Sequence, residues 1–99
     1  MRMFICGPMS GLPGNNYDAF NAEAARLRAL WFVVANPAEN PEPPGKAWAD
    51  YMRMSITQLM TCDTVVLLPG WQDSRGANIE RIIALKIGMR VVDAHEVVA

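Results

Sequence analysis

The sequence is poor in the residue types that bind transition metals. Among 99 residues it has one histidine, His95, and two cysteines, Cys6 and Cys62, with no CxxC pair. A zinc site takes three or four nitrogen and sulfur ligands held close together. We therefore expect neither a metal nor a cofactor, and we interpret both cysteines as reduced, buried thiols of a cytoplasmic protein.

Net charge and long apolar runs are also lacking. The formal net charge is -1, which gives no basic surface for a nucleic-acid polymer. Apolar runs such as ALWFVVA are far shorter than the ~20 residues of a membrane span, and residues 2–6 predict a strand rather than a signal peptide. The stretch GPMSGLPG lacks the lysine of an ATP-binding P-loop and the GxGxxG spacing of a dinucleotide site. We expect a small-molecule ligand and no membrane partner.

Along the chain, segments with the hydrophobic spacing of strands alternate with segments with the hydrophobic spacing of helices. Asn15 or Asn16 is expected to cap the first of three helices. Strands that alternate with helices predict βαβ units, and hence an open parallel sheet with helices on both faces. The whole chain, 1–99, is interpreted as one α/β domain. Strands are predicted at 2–6, 32–36, 63–69 and 90–94, and helices at 17–30, 48–62 and 76–88.

The loops that follow the strands indicate where a ligand binds. Open parallel sheets bind ligands beyond the carboxyl ends of their strands, where loop 7–16, the segment from Asn36 onward and loop 69–76 are expected to meet. Ser74 is expected to cap the third helix, whose free N–H groups and dipole favour an anion. Segment 37–47 holds four of the seven prolines, which predicts an exposed rim or flap.

Glu80 is the main candidate for chemistry. It lies four residues after Gly76 and three after Ala77, so on a helix its neighbours toward the N-terminus are very small. Helical side chains lean toward the N-terminus, which directs this carboxylate over cleared space at the ligand edge. The alternative is a solvated helical glutamate or a partner of Arg75 or Arg81.

Three stretches of the sequence together resemble one enzyme superfamily. FICGPMSG, NPAEN and CDTVVLLPGWQDSRGANIE are similar to nucleoside 2-deoxyribosyltransferases, to deoxynucleoside-monophosphate N-glycosidases and to uncharacterised phage and bacterial relatives, over about residues 3 to 92. The resemblance implies a flavodoxin-like (Rossmann-like) fold and a homodimer whose sites the neighbouring chain completes. In that superfamily a Ser-x-Gly-x-x-x-Glu motif carries a nucleophilic glutamate, and Ser74, Gly76 and Glu80 match it. Glu80 is thereby implied to attack the anomeric carbon of a deoxyriboside and form a glycosyl ester.

The sequence departs from the superfamily at positions that assist the glutamate. Phe4 stands where the deoxyribosyl-cleaving relatives have a tyrosine, and Ser55 where they have an aspartate. A phenyl ring has no hydroxyl to orient Glu80, and a serine is a poor general acid at neutral pH. In the first loop, Pro8 and Ser10 replace a serine and an arginine that contact a 5′-phosphate, which weakens the case for phosphate selectivity.

Several other residues have two interpretations. Trp71 either stacks on a base or covers the end of the sheet, and Asp73 is either a second catalytic carboxylate or a turn residue. Tyr51, on the second helix, either reaches the site or packs between helices. Trp31 either packs under the first helix or projects into a subunit contact. His95 is placed away from the ligand edge.

The resemblance implies a nucleoside or nucleotide as ligand, with N-glycosidic bond cleavage or deoxyribosyl transfer by Glu80. The alternative is a non-catalytic nucleotide-binding protein, a sensor or sequestering module, which the departures at Phe4 and Ser55 favour. The methionine-bearing helix has apolar residues beyond a single stripe, which predicts burial on more than one side and a homodimer. The expected substrate contacts are Gly7, Pro8, Met9, Ser10, Ser55, Trp71, Asp73, Ser74 and Gly76.

Overall fold

The computed structural model describes residues 1–98 and contains one parallel sheet. Valine is frequent in the second, third and fourth strands, as expected of a β-branched residue that favours extended backbone. The strands are β1 (Arg2–Cys6), β2 (Val33–Ala35), β3 (Thr64–Leu67) and β4 (Arg90–Asp93). Their order is β2-β1-β3-β4, and all neighbours pair in parallel. The predicted open α/β sheet of four strands is confirmed, and its strand order is that of a flavodoxin-like fold.

Three helices cover the two faces of the sheet: α1 (Tyr17–Ala29), α2 (Trp48–Leu59) and α3 (Arg75–Lys86). Alternate residues of β1 face opposite sides, so Met3 and Ile5 pack with α1 while Phe4 and Cys6 pack with α2 and α3. The core is therefore divided into two layers by the sheet. No helix within residues 1–98 has the length and apolar character that crossing a membrane requires.

The strand order creates a crevice at one edge of the sheet. β1 and β3 are central neighbours, but the chain leaves β1 for α1 on one face and β3 for α3 on the other. This divergence is the point at which open parallel sheets bind ligands. Gly7 follows β1, and a Cβ atom there would come 2.8 Å from the Cβ of Leu68. Only glycine lets the two strand ends run so close together.

Two local expectations were wrong. Asn16 occupies the residue before α1, but its side chain does not cap the helix. Its backbone is left-handed, with φ 60°, and its amide instead donates to the carbonyl oxygen of Pro8 at 3.0 Å. The amide therefore holds the first loop together. Cys62 is half-buried rather than buried, because it lies in the turn after α2, whereas Cys6 is completely enclosed.

The second helix is less buried in one chain than its composition predicts. Among its residues only Leu59 is buried, while Trp48 and Tyr51 are 36% and 38% exposed. Met60, just past the end of α2, is 48% exposed. The prediction that this helix is buried on more than one side is therefore not met within a single chain. Trp31 is 94% exposed, so the interpretation that it packs under α1 was wrong.

Candidate active site

A pocket opens at the carboxyl edge of the sheet, between the first loop, the first turns of α2 and α3, and the segment after β2. Its volume is about 240 Å³, somewhat below the ~300–1,000 Å³ of pockets for drug-sized ligands. A small molecule fits such a space. Seven residues predicted from the sequence line it together: Gly7, Met9, Ser10, Ser55, Ser74, Gly76 and Glu80.

The start of α3 is fixed by two side chains. The Oγ of Ser74 accepts a hydrogen bond from the backbone N–H of Ala77 at 3.1 Å, so the predicted cap is confirmed. The side-chain amide of Asn78 donates to the carbonyl oxygens of Trp71, Gln72 and Ser74, at 3.3, 3.0 and 2.8 Å. Asn78 was not predicted from the sequence, because its contacts depend on the exact turn before the helix. Together these bonds set the direction of the helix that carries Glu80.

Glu80 lies on the second turn of α3 and is only 7% exposed. Neither neighbouring arginine pairs with it. The guanidinium of Arg75 lies 4.1 Å from the ring centre of Trp48, and that of Arg81 lies 4.9 Å from the ring centre of Trp71. Both arginines therefore make cation–π contacts. The interpretations of Glu80 as a solvated surface residue or an arginine partner were wrong.

Burial decides the electrostatics of Glu80. Loss of hydration raises the pKa of its carboxyl group from 4.5 to about 7, and a hydrogen bond from the Cys6 thiol at 3.4 Å opposes this rise. No lysine, arginine or histidine lines the pocket in the described part of the chain. At neutral pH the carboxyl group is thus divided between its two forms. The ionised form can attack carbon, and the protonated form can donate a proton.

Aromatic rings and methionines form much of the remaining wall. Tyr17, Trp48 and Tyr51 line the pocket, with Met52 and Met54 beside them. Tyr51 therefore reaches the site, and its hydroxyl donates to a carboxylate oxygen of Glu42 at 3.3 Å. Tyr17 and Trp48 were not predicted from the sequence as site residues. Their positions at the first residues of two helices that begin at the ligand edge were the available signal.

The proline-rich segment forms one rim of the pocket, as its composition predicted. Pro37, Asn40 and Pro41 are among the lining residues. The amide of Asn40 donates to the side-chain oxygen of Gln58 at 2.9 Å. This bond ties the rim to α2.

Three predicted contact residues lie outside the pocket lining. Pro8 belongs to the first loop but is not part of the wall, and Asp73 is exposed on the turn before α3. Trp71 is half-buried against the core cluster that contains Phe4, so it covers the end of the sheet. Phe4 itself is completely buried. His95 lies after β4, in a separate shallow groove.

Fold and site define a class of protein: a small open-sheet α/β domain with one buried carboxyl group in an aromatic pocket at the strand ends. Within residues 1–98, no three His, Cys, Asp or Glu side chains are grouped closely enough to bind a metal ion together. The family model of a domain of unknown function (DUF4406) matches residues 1–93, and the chain belongs to this family. No curated protein matches the chain significantly.

Proposed function

We propose that the protein breaks the N-glycosidic bond of a nucleoside or nucleotide, by hydrolysis or by deoxyribosyl transfer, with Glu80 as nucleophile. The observation that carries this proposal is a buried carboxyl group, without a cationic partner, in an aromatic pocket at the sheet edge. The match of Ser74, Gly76 and Glu80 to the superfamily motif supplies the type of reaction.

The proposed reaction has two steps. The ionised carboxylate of Glu80 attacks the anomeric carbon, a C–O bond forms, and the C–N bond breaks as the base leaves with the electron pair and takes a proton from solvent. Water or a second base then attacks the same carbon, loses a proton to solvent and releases the carboxylate. Gly76 and Ala77 line the pocket next to Glu80. A Cβ atom at Gly76 would come 3.0 Å from the sulfur of Met52, so glycine there lets α3 pack closely against α2.

The aromatic wall suits a flat heterocycle. Tyr17, Trp48 and Tyr51 offer ring faces on which a base can stack, an interaction of about 1–3 kcal/mol per base. The methionines adapt to irregular shapes, which agrees with a site that accepts several bases. Because no lysine, arginine or histidine among residues 1–98 lines the pocket to bind a phosphate, we propose that uncharged nucleosides bind at least as well as their 5′-monophosphates.

A non-catalytic nucleotide-binding role is the second candidate. Ser55 lines the pocket where the resemblance implies a catalytic aspartate, and the completely buried Phe4 has no hydroxyl. Among residues 1–98 no second carboxyl group lines the pocket to protonate the leaving base. A protein of this kind binds the ligand without releasing base.

We further propose a homodimer that forms in the cytoplasm. The exposed apolar residues on and beside α2, together with the fully exposed Trp31, offer surface that a second copy can cover. The free thiols of Cys6 and Cys62 are compatible with a reducing compartment.

A panel of deoxynucleosides and their monophosphates tests the enzymatic proposal. Free base is measured by chromatography, and binding is measured on the same panel from the rise in melting temperature, because a ligand that binds the folded state stabilises it. Base release supports the enzyme, and a melting-temperature rise without base release supports the binder. If no compound of the panel gives either base release or a rise in melting temperature, both roles are refuted.

A further inference from the structure

Cys6 is the last residue of β1, and its side chain has no exposed surface. Its Sγ lies 3.4 Å from the Oε1 atom of Glu80 and 3.4 Å from the carbonyl oxygen of Ala77. A thiol has one proton. Cys6 therefore has two acceptors at the same distance and can donate to only one of them at a time.

The thiol is the one hydrogen-bond donor that the described residues offer to the Glu80 carboxylate. The second oxygen, Oε2, has no hydrogen-bond partner within residues 1–98. In the same residues, every side-chain nitrogen or oxygen that is closed off from solvent has a hydrogen-bond partner. Oε2 therefore retains access to solvent through the pocket. The two oxygens of one carboxylate are thus in different environments, one on the β1 side and one on the ligand side.

We propose that Cys6 is a positioning residue, whose S–H group holds Oε1 of the ionised Glu80 carboxylate and so leaves Oε2 free to attack in the pocket. When Glu80 is protonated, the thiol proton turns to the carbonyl oxygen of Ala77. The inference deepens the proposed function, since its kinetic consequence rests on Glu80 being the nucleophile. The exchange of the thiol proton between its two acceptors is independent of any reaction.

The surroundings of Glu80 contain few other groups that titrate. Cys6 faces it from β1, and the pocket wall adds the hydroxyls of Tyr17 from α1 and Tyr51 from α2. No other ionisable residue of α3 lines the pocket. A change at the Cys6 thiol near neutral pH therefore reports the protonation of Glu80.

Infrared spectroscopy of the unmodified site tests this exchange without a change at Cys6. The probe is the S–H stretching band, which proteins show in an otherwise empty part of the spectrum. In a Cys62→Ser background, which leaves Cys6 as the one thiol, the band is expected to shift as the pH passes through the Glu80 titration. The same band is expected to stay fixed in Cys62→Ser combined with Glu80→Gln. An S–H stretching frequency that does not change with pH in the Cys62→Ser protein would refute the proposal.

Titration of the Glu80 carboxyl carbon by NMR tests the role in positioning. Cys6→Ala is expected to raise the apparent pKa of Glu80 by roughly half a unit to one unit, as loss of one modest hydrogen bond implies. Cys6→Ser keeps a donor and is expected to restore the wild-type value or lower it. Cys62→Ala, a matched loss of a distant thiol, is expected to change nothing. Equal titrations in wild type, Cys6→Ala and Cys6→Ser would overturn the proposal.

Kinetics separate the positioning role from the proposed function. With base release in the wild type, Cys6→Ala is expected to lower kcat about tenfold with little change in KM, and Cys6→Ser is expected to recover most of it. A rise in KM with kcat unchanged would contradict the positioning role. If the wild type releases no base, the proposed function fails, while the infrared and NMR results still decide whether Cys6 orients Glu80.

Discussion

Glu80 is unusual among the carboxylates of this protein because its burial is not offset by a cation. Glu23 and Glu39 form ion pairs with Arg26 and Arg28 at 2.6 and 2.8 Å, whereas Glu80 has only a weak thiol donor. A buried carboxylate without a partner lowers the stability of the fold. Such a residue is expected where chemistry rather than stability requires it.

The pH dependence of stability should report this cost. The Glu80 carboxyl group has a pKa of 4.5 in a model peptide and about 7 in the fold, so the folded state binds the proton more tightly. The contribution to stability is therefore full below pH 4.5 and is lost as the pH rises through 7. The amide of Glu80→Gln cannot ionise, so this variant does not lose stability as the pH rises through 7. Above pH 7 it is expected to be more stable than wild type by on the order of 3 kcal/mol.

Urea unfolding of both proteins across this pH range measures the difference. The two stabilities should converge as the pH falls below 4.5, because Glu80 is then uncharged in both the folded and the unfolded state. Other carboxyl groups titrate in both proteins alike and cancel in the comparison. Two curves that stay parallel from pH 4.5 to 8 would mean that Glu80 does not titrate as the structure implies.

Glu80→Gln is also expected to abolish glycosidic turnover. The amide keeps the shape of the side chain but cannot attack the anomeric carbon, so the loss should reach several orders of magnitude with ligand binding largely retained. Glu23→Gln, a matched change on α1 at the opposite face of the sheet, is expected to keep its turnover. Base-release assays and thermal shifts on the three proteins provide the check. Undiminished turnover in Glu80→Gln would remove Glu80 from the mechanism.

Ser55→Asp should strengthen a weak active site. Ser55 lines the pocket, and a carboxyl group there can protonate the leaving base, a contribution of about 10²–10⁴-fold in general acid catalysis. Ser55→Asn has nearly the same shape but no acidic proton, so it is expected to leave turnover low. Phe4→Tyr is the less suitable change, because its hydroxyl would enter the closed core around Phe4. Equal rates for Ser55→Asp and Ser55→Asn would argue against this role.

At the scale of elements, the start of α3 determines where Glu80 points. Ser74→Ala removes the cap bond to Ala77 and is expected to lower the free energy of unfolding by about 1 kcal/mol. Asn78→Ala removes the side-chain hydrogen bonds to three carbonyl oxygens of the preceding turn and should cost about 1–2 kcal/mol. Ser74→Asp keeps a capping oxygen and serves as the control. Chemical denaturation measures all three, and a Ser74→Ala protein as stable as Ser74→Asp would contradict the cap.

The elements themselves were predictable because local signals agreed. Strand runs, the Ser74 cap and the carboxyl-edge rule all point to the same fold, and they brought the first loop next to Glu80. The contact between Cys6 and Glu80 joins residues 74 positions apart, so no local pattern contains it. The same holds for Tyr17 and Trp48, whose place in the wall depends on how the helices lie against the sheet.

The failed expectations have equally specific causes. Asn16 was expected to cap α1, but its left-handed backbone directs the amide into the first loop. Trp31 occupies a left-handed position after α1, with φ 70°, where a glycine is usual. The side of α2 that lacks cover cannot be predicted from composition, because it depends on what lies outside the single chain.

At the scale of the whole molecule, the uncovered apolar surface predicts self-association. The chain is expected to sediment as a homodimer at tens of micromolar, a concentration that saturates an interface of ordinary strength. Met60→Glu places a charge in the exposed apolar surface beside α2 and is expected to shift the protein toward the monomer. Ile87→Glu, at a similarly exposed position after α3, is the matched control. A wild-type monomer under these conditions would contradict the dimer.

The central claim is that the carboxylate of Glu80 forms a bond to the sugar, and acid-quenched mass spectrometry tests it most directly. The protein is mixed with the deoxynucleoside from which base release is fastest, quenched in acid during turnover and digested. One deoxyribosyl adduct is expected, on the peptide that contains Glu80, and no adduct is expected in Glu80→Gln. Two results would contradict this claim. One is base release with the adduct on another residue, and the other is an unmodified Glu80 peptide together with normal turnover by Glu80→Gln.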